Sequence, residues 1–201
     1  TGQHYDKNMS ENILNDLGID NPDYHLGVMK GTHAEQTASI MINFEQICIK
    51  VSPKLVVVAG DVNSTLACAL VAAKLQIKVA HVESGLRSFD MSMPEEVNRI
   101  ATDHISDLLF TTEKSANINL RNEGIEDLKV HFVGNCMIDS LMKFIPISKN
   151  MAPWKKYGFS GKDYILVTLH RPSNVDKLDS LAKYIDMLNQ IGKDTPIIFP
   201  A

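Results

Sequence analysis

The sequence predicts an α/β fold organised around a parallel sheet. Two observations predict it. Short runs rich in valine, isoleucine and leucine alternate with longer amphipathic stretches, as when each strand reaches the next through a helix. The strand-like runs are apolar at consecutive positions, as in Leu55-Val56-Val57-Val58, which is the pattern of strands buried on both faces. Helices are therefore expected on both sides of the sheet.

The elements follow in order. Met9, Ile13 and Leu17 recur at four-residue steps in a helix from Asp6, and Gly18 stops it. Thr32 and Glu35 have the spacing of a capping box before a long helix through Ile40, Phe44 and Ile47. The Leu55–Val58 strand ends at Gly60-Asp61, and a helix is expected from Ser64 to Leu75, capped by Asn63 or Ser64. Val79–Val82 is a second strand, Glu83–Pro94 a loop, and Glu95 to about Ile105 a helix with Pro94 at its first position. Leu108–Phe110 is a third strand, and Lys114–Asn122 a helix closed by Gly124. Val130–Val133 is a fourth strand, with a helix after Asn135.

Pro146 to Pro153 holds two prolines with Ser148 and Lys149, and predicts a linker. Beyond it come a strand at Tyr164–Val167, a helix at Leu178–Ile191 and a strand opening at Pro196. The organisation expected is a first domain over 1–145 without its opening strand, a linker over 146–160, and over 161–201 the start of a truncated second domain.

Composition narrows the function. The 201 residues are 44% hydrophobic and 22% charged, ordinary for a globular protein. A net charge of −4 without a basic run argues against general nucleic-acid binding. No apolar run approaches the roughly 18 residues of a spanning helix, so no membrane partner is expected. Cys48, Cys68 and Cys136 form no zinc spacing and sit in apolar surroundings, the pattern of buried, reduced thiols in a cytoplasmic protein.

In parallel sheets ligands bind beyond the carboxyl ends of the strands, which selects Asp61, Glu83 and Gly134-Asn135. The Gly60–Thr65 block suits either a helix-entry turn or a phosphate or sugar contact. His81-Val82-Glu83-Ser84-Gly85-Leu86-Arg87 brings an imidazole, a carboxylate and a guanidinium to one strand end. Arg87 offers a phosphate-matching fork there, or a surface pair with Glu83. No third ligand joins His81 and Glu83, so no metal is expected. Glu95 and Glu96, in the first turn of a helix, match what the helix dipole alone favours. His170-Arg171, at the end of the second-domain strand, could meet an anionic ligand.

Together these blocks resemble the UDP-N-acetylglucosamine 2-epimerase family, in particular its non-hydrolysing branch. The matching segments are Thr1-Gly2-Gln3-His4, Gly60-Asp61, His81–Arg87, Met93–Arg99, Gly134-Asn135 and Leu169–Pro172, in the family's order. The resemblance implies a glycosyltransferase-B-like fold of two Rossmann-like domains facing across a cleft. It implies a homodimer acting on a UDP-sugar without metal or other cofactor. It places Asp61, Glu83, Glu95 and His170 at catalytic positions, and Arg87, Arg99, Asn135 and Arg171 near the substrate. The implied reaction inverts C2 of a UDP-2-acetamido sugar by losing and regaining UDP through a 2-acetamidoglucal. A hydrolysing epimerase, a glycosyltransferase of the same fold and an inactive nucleotide-sugar-binding fragment are the alternatives. The Gly31–Thr37 block and the short Glu83–Glu95 loop are closer to a subgroup that includes epimerases of diacetamido uronic acids.

Overall fold

The computed structural model describes residues 17–28, 30–159, 163–169 and 175–199. These form two compact units, Thr1–Ile138 and Asp139–Ala201. The expected helix from Asp6 lies almost wholly outside the described residues.

The first complete helix among the described residues is α1 (His33–Val51), capped by Thr32 in a reciprocal box with Glu35, as its spacing predicts. Then come β1 (Leu55–Ala59), α2 (Asn63–Lys74), β2 (Lys78–Ser84), α3 (Pro94–Ile105), β3 (Leu108–Thr111), α4 (Lys114–Asn122) and β4 (Val130–Phe132). All strand pairs are parallel, in the order β1-β2-β3-β4. This is an α/β fold with a parallel sheet.

The strands add in a single direction, and right-handed crossovers then carry α2, α3 and α4 over one face. The burial differs along the sheet. On β2, Val79 and Ala80 point to opposite faces and both are fully buried, whereas on β1, an edge strand among the described residues, Val56 and Val58 are buried and Val57 is 60% exposed. The core lies on the helix-covered side, where Val56, Val58 and Val79 meet Ile40 and Cys48 of α1 and Ala67, Cys68, Val71 and Ala72 of α2. Burial pushes the Cys68 thiol up to about 11.

Three local expectations change. The cap of α2 is Val62, not Asn63 or Ser64. Asn63 is instead drawn inward, its Nδ2 donating to His33 Nδ1 and Gln36 Oε1, both at 3.1 Å. A helix, α5 (Cys136–Met151), runs through Pro146, where a linker was expected. The apolar positions Ile138, Leu141, Met142 and Ile145 keep helical spacing up to the proline, and that period outweighs its lost N–H. Cys136 opens this helix and is exposed, unlike Cys48 and Cys68.

The second unit contains β5 (Ile165–Leu166), α6 (Leu178–Ile191) and β6 (Ile197–Ile198). The two strands pair in parallel, which the sequence pattern anticipates. Among the described residues no helix is long and apolar enough to cross a membrane.

Candidate active site

The carboxyl ends of β1 and β2 lie side by side. Ala59 is in register with Val82, and Gly60 N–H donates to the Val82 carbonyl at 3.1 Å. Asp61 and Glu83, 22 residues apart in sequence, therefore leave neighbouring strand ends. Asp61 is held from α3. Arg99 pairs with its carboxylate, and Asn98 Nδ2 donates to its backbone carbonyl at 2.9 Å.

Glu83 is the irregular residue of its strand. The β2–β3 register slips between Val82 and Ser84, and Glu83 adopts a φ of 71°. A left-handed backbone costs a non-glycine residue about 1–2 kcal/mol. Bulges re-aim side chains beside functional sites. The Glu83 carboxylate makes no hydrogen bond to another described residue. This bulge also separates Glu83 from His81, which does not share its setting. His81 is fully buried, with Nδ1 2.7 Å from Asp103 and Nε2 2.8 Å from the Gly60 carbonyl.

The expectation that Arg87 presents a free fork is corrected. Its side chain is 1% exposed and engaged at both ends. Nε and Nη2 grip the Glu123 carboxylate at 2.7 Å each, and Nη1 lies 2.8 Å from Asp103. Burial works against its charge, but Glu123 and Asp103 more than offset that and raise its pKa. A surface pair with Glu83 is not formed either. Arg99 is similarly committed, to Asp61, to Glu96 at 2.5 Å and to the Leu86 carbonyl at 3.3 Å.

The two acids in the first turn of α3 diverge. Glu95 is exposed, whereas Glu96 is buried. Glu96 accepts the backbone N–H groups of Ser88 (3.0 Å) and Phe89 (2.9 Å) in the loop after β2. Burial alone would raise its pKa, but these N–H groups and Arg99 hold it below the usual glutamate range. Asn135 Oδ1 accepts from Met137 N–H at 2.9 Å, as a helix cap does. His170 and Arg171 lie outside the described residues, as does the Thr1–His4 block.

Beside Asp61 opens a cavity of about 570 Å³, lined by His33, Thr37 and Met41 of α1, Asn63 of α2, and Pro94 and Asn98 of α3. Asn98 connects this wall to the Asp61 loop, since its Nδ2 also reaches Asn63 Oδ1 at 3.3 Å. Among the described residues, no cluster of three or more His, Cys, Asp or Glu could hold a metal ion.

Of the residues that hold this arrangement, Asn98, Asp103 and Glu123 carry no role in the sequence reading, and Glu96 is read there only as an acid suited to the helix dipole. A signal existed. Glu96, Arg99 and Asp103 fall at i, i+3 and i+7, a polar stripe on the α3 face that packs on the sheet. Polar groups recurring on a core-facing stripe need partners, and so mark a network.

Comparison with known proteins identifies the family. The family model for UDP-N-acetylglucosamine 2-epimerase matches residues 1–201. The chain is 43% identical over 205 residues to the UDP-N-acetylglucosamine 2-epimerase of Methanococcus maripaludis, a match covering 100% of this chain and 56% of that protein. It is 44% identical over 204 residues to the UDP-2,3-diacetamido-2,3-dideoxy-D-glucuronate 2-epimerase of Pseudomonas aeruginosa, again over 100% of this chain and 56% of the relative. The crystal structure of the Methanocaldococcus jannaschii UDP-GlcNAc 2-epimerase, in complex with UDP-GlcNAc and UDP, superposes with a TM-score of 0.89 at 44% identity, covering 99% of this chain and 56% of that one. The chain thus spans little more than half the length of these relatives. By a family match over residues 1–201 and by fold, it belongs to the UDP-N-acetylglucosamine 2-epimerase family.

Proposed function

We propose that the protein is a non-hydrolysing UDP-sugar 2-epimerase that interconverts UDP-GlcNAc and UDP-ManNAc. The observation that supports this reading is the placing of Asp61 and Glu83 at neighbouring strand ends, Glu83 on a strained bulge with no hydrogen bond to another described residue, and α3, which carries Glu95, tied to the Asp61 loop through Arg99 and Asn98. The hydrogen on C2 of an N-acetylhexosamine is not acidic, because no carbonyl adjoins it. Departure of UDP from C1 develops positive charge there and acidifies the neighbouring hydrogen. The C1–O bond breaks with its electron pair leaving on UDP. The C2–H bond breaks with its proton passing to a carboxylate, and a C1=C2 double bond forms. A carboxylic acid then returns a proton to C2 from the opposite face, and the UDP oxygen re-adds to C1.

Such a route needs carboxyl groups above and below the ring. Asp61, Glu83 and Glu95 are assigned to this work. Arg99 orients Asp61, and Arg87 holds the turn after Glu83. Asn135, His170 and Arg171 are assigned to the substrate, the two cations to the departing diphosphate. Family membership supports a glycosyltransferase-B-like architecture whose second Rossmann-like domain closes over the sugar and keeps water from the glucal. A cytoplasmic homodimer without metal or other cofactor completes the proposal. The similarity to the Pseudomonas enzyme favours a second substrate, a UDP-2,3-diacetamido uronate.

Proton NMR of the full-length protein in heavy water, with each sugar in turn, tests the reading. The epimer is expected to carry deuterium at C2. Epimerisation without deuterium would overturn proton abstraction. Accumulation of free UDP would point to hydrolysis, and no turnover of any UDP-2-acetamido sugar would remove the assignment.

A further inference from the structure

In the first unit His81 pairs with Asp103, and both side chains are fully buried. Neither can touch a substrate. Their partners show what they do. Through Nε2, His81 holds the carbonyl of Gly60, the residue before Asp61. Through Nδ1 it meets Asp103 Oδ1. The other oxygen of Asp103 accepts the Gly85 N–H at 3.0 Å, two residues after Glu83, and the Arg87 guanidinium at 2.8 Å. One imidazole and one carboxylate thus fasten the β1 loop bearing Asp61 to the β2 turn bearing Glu83.

The donors and acceptors also count out. A carbonyl oxygen cannot donate, so Nε2 carries a hydrogen. Asp103 already faces a guanidinium and an N–H through Oδ2, so it meets the imidazole as an acceptor at Oδ1 too, and Nδ1 carries a hydrogen as well. The buried groups then alternate in sign, His81, Asp103, Arg87 and Glu123, and each charge has a counter-charge beside it.

We infer that His81 and Asp103 are positioning residues for the epimerase reaction, a buried clasp whose doubly protonated imidazole fixes the two acid-bearing loops against each other. The inference rests on the assignment of Asp61 and Glu83 proposed above. Displacing a reacting group by about 1 Å costs on the order of 10²-fold in rate.

In the full-length protein, Asp103→Ala is expected to lower kcat about 100-fold and to leave KM within about twofold, since no contact to substrate is lost. Asp103→Asn can still accept from Gly85 and Arg87 through its oxygen, and its nitrogen can donate to His81 Nδ1 once the imidazole, no longer facing a carboxylate, gives up the hydrogen there. It is expected to recover at least about tenfold of the lost kcat. Unchanged kcat in Asp103→Ala, a rise in KM alone, or no recovery in Asp103→Asn would overturn the clasp. The 15N chemical shifts of the His81 ring, read in the unmutated protein at neutral pH without substrate, give an independent readout. Both nitrogens are expected in the protonated range, and a nitrogen in the bare, unprotonated range would refute the inference. This second readout stands if Asp103→Ala does not fold. If no UDP-sugar is turned over at all, the epimerase reading fails, while the ring spectrum still decides the clasp.

Discussion

Gly85→Ala probes how tightly the turn after Glu83 is pressed onto α4. Gly85 has a φ of 78°, and an added Cβ would lie 2.7 Å from the Ala116 carbonyl oxygen, 2.9 Å from Leu120 Cγ and 3.0 Å from Ala116 Cβ. Ala116 and Leu120 are fully buried, so neither can swing aside. The nearest atom is helix backbone, which yields only if α4 moves. The left-handed conformation costs alanine about 1–2 kcal/mol. Overpacking adds about 1–3 kcal/mol. The stiffer unfolded chain returns about 0.4–1 kcal/mol. The net loss is about 2–4 kcal/mol. Gly124→Ala is the control, since its φ is 82° but a Cβ there meets nothing within 4 Å. It shares the backbone cost without the collision and should lose about 1 kcal/mol. Urea unfolding of both variants measures the difference as a shift in midpoint at constant slope. Gly85→Ala should be the less stable by about 1–3 kcal/mol. A difference under about 0.5 kcal/mol would refute the packing argument and leave only the backbone term.

Two further outcomes are expected. Glu96 has its folded pKa depressed below the ordinary 4.5, so the stability it contributes is present above that value and is lost as pH falls through the folded one. On acidification the amides of Ser88 and Phe89 should lose hydrogen-exchange protection, Glu96→Gln should weaken that dependence, and equal acid sensitivity in the two proteins would contradict it. Ser84 Oγ is buried without a hydrogen-bond partner among the described residues, so Ser84→Ala should be neutral or stabilising by up to about 1 kcal/mol in the same unfolding assay. A loss above about 1 kcal/mol would show that the hydroxyl has a partner.

The order of elements is readable from the chain because each rests on a local cause. The capping box of Thr32 and Glu35, the proline opening α3 and the glycine after α4 act within a few residues, and α6 falls at the span its periodicity predicts. What was not readable depends on contacts across the sheet. Valine runs look alike at the edge and in the middle of a sheet, so the contrast between exposed Val57 and its fully buried partner Ala80 is not written in either segment. Asp61 and Glu83 stand out because each lies where an apolar run ends, Asp61 just past β1 and Glu83 at the bulge near the end of β2. Arg87 reads as a ligand for a phosphate, and the resemblance puts Arg99 near the substrate, because a guanidinium's choice of partner is decided by carboxylates distant in sequence, here Glu123 and Asp61. Glu95 and Glu96 are neighbours of identical chemistry, and only the rotation of α3 sends one outward and the other under the loop.

The consecutive order of the four strands has a consequence for how the first unit is made. Among the described residues, β2, β3 and β4 each pair with the strand synthesised just before, so none of these three waits for a distant piece of chain. Closing short connections loses less chain entropy than closing long ones, and local pairings form quickly. The sheet can grow one βα step at a time as the polypeptide leaves the ribosome. Asp61 and Glu83 would be aligned as soon as β2 docks, and the arrival of α3 would then bring in Asp103 and Arg99 to lock them.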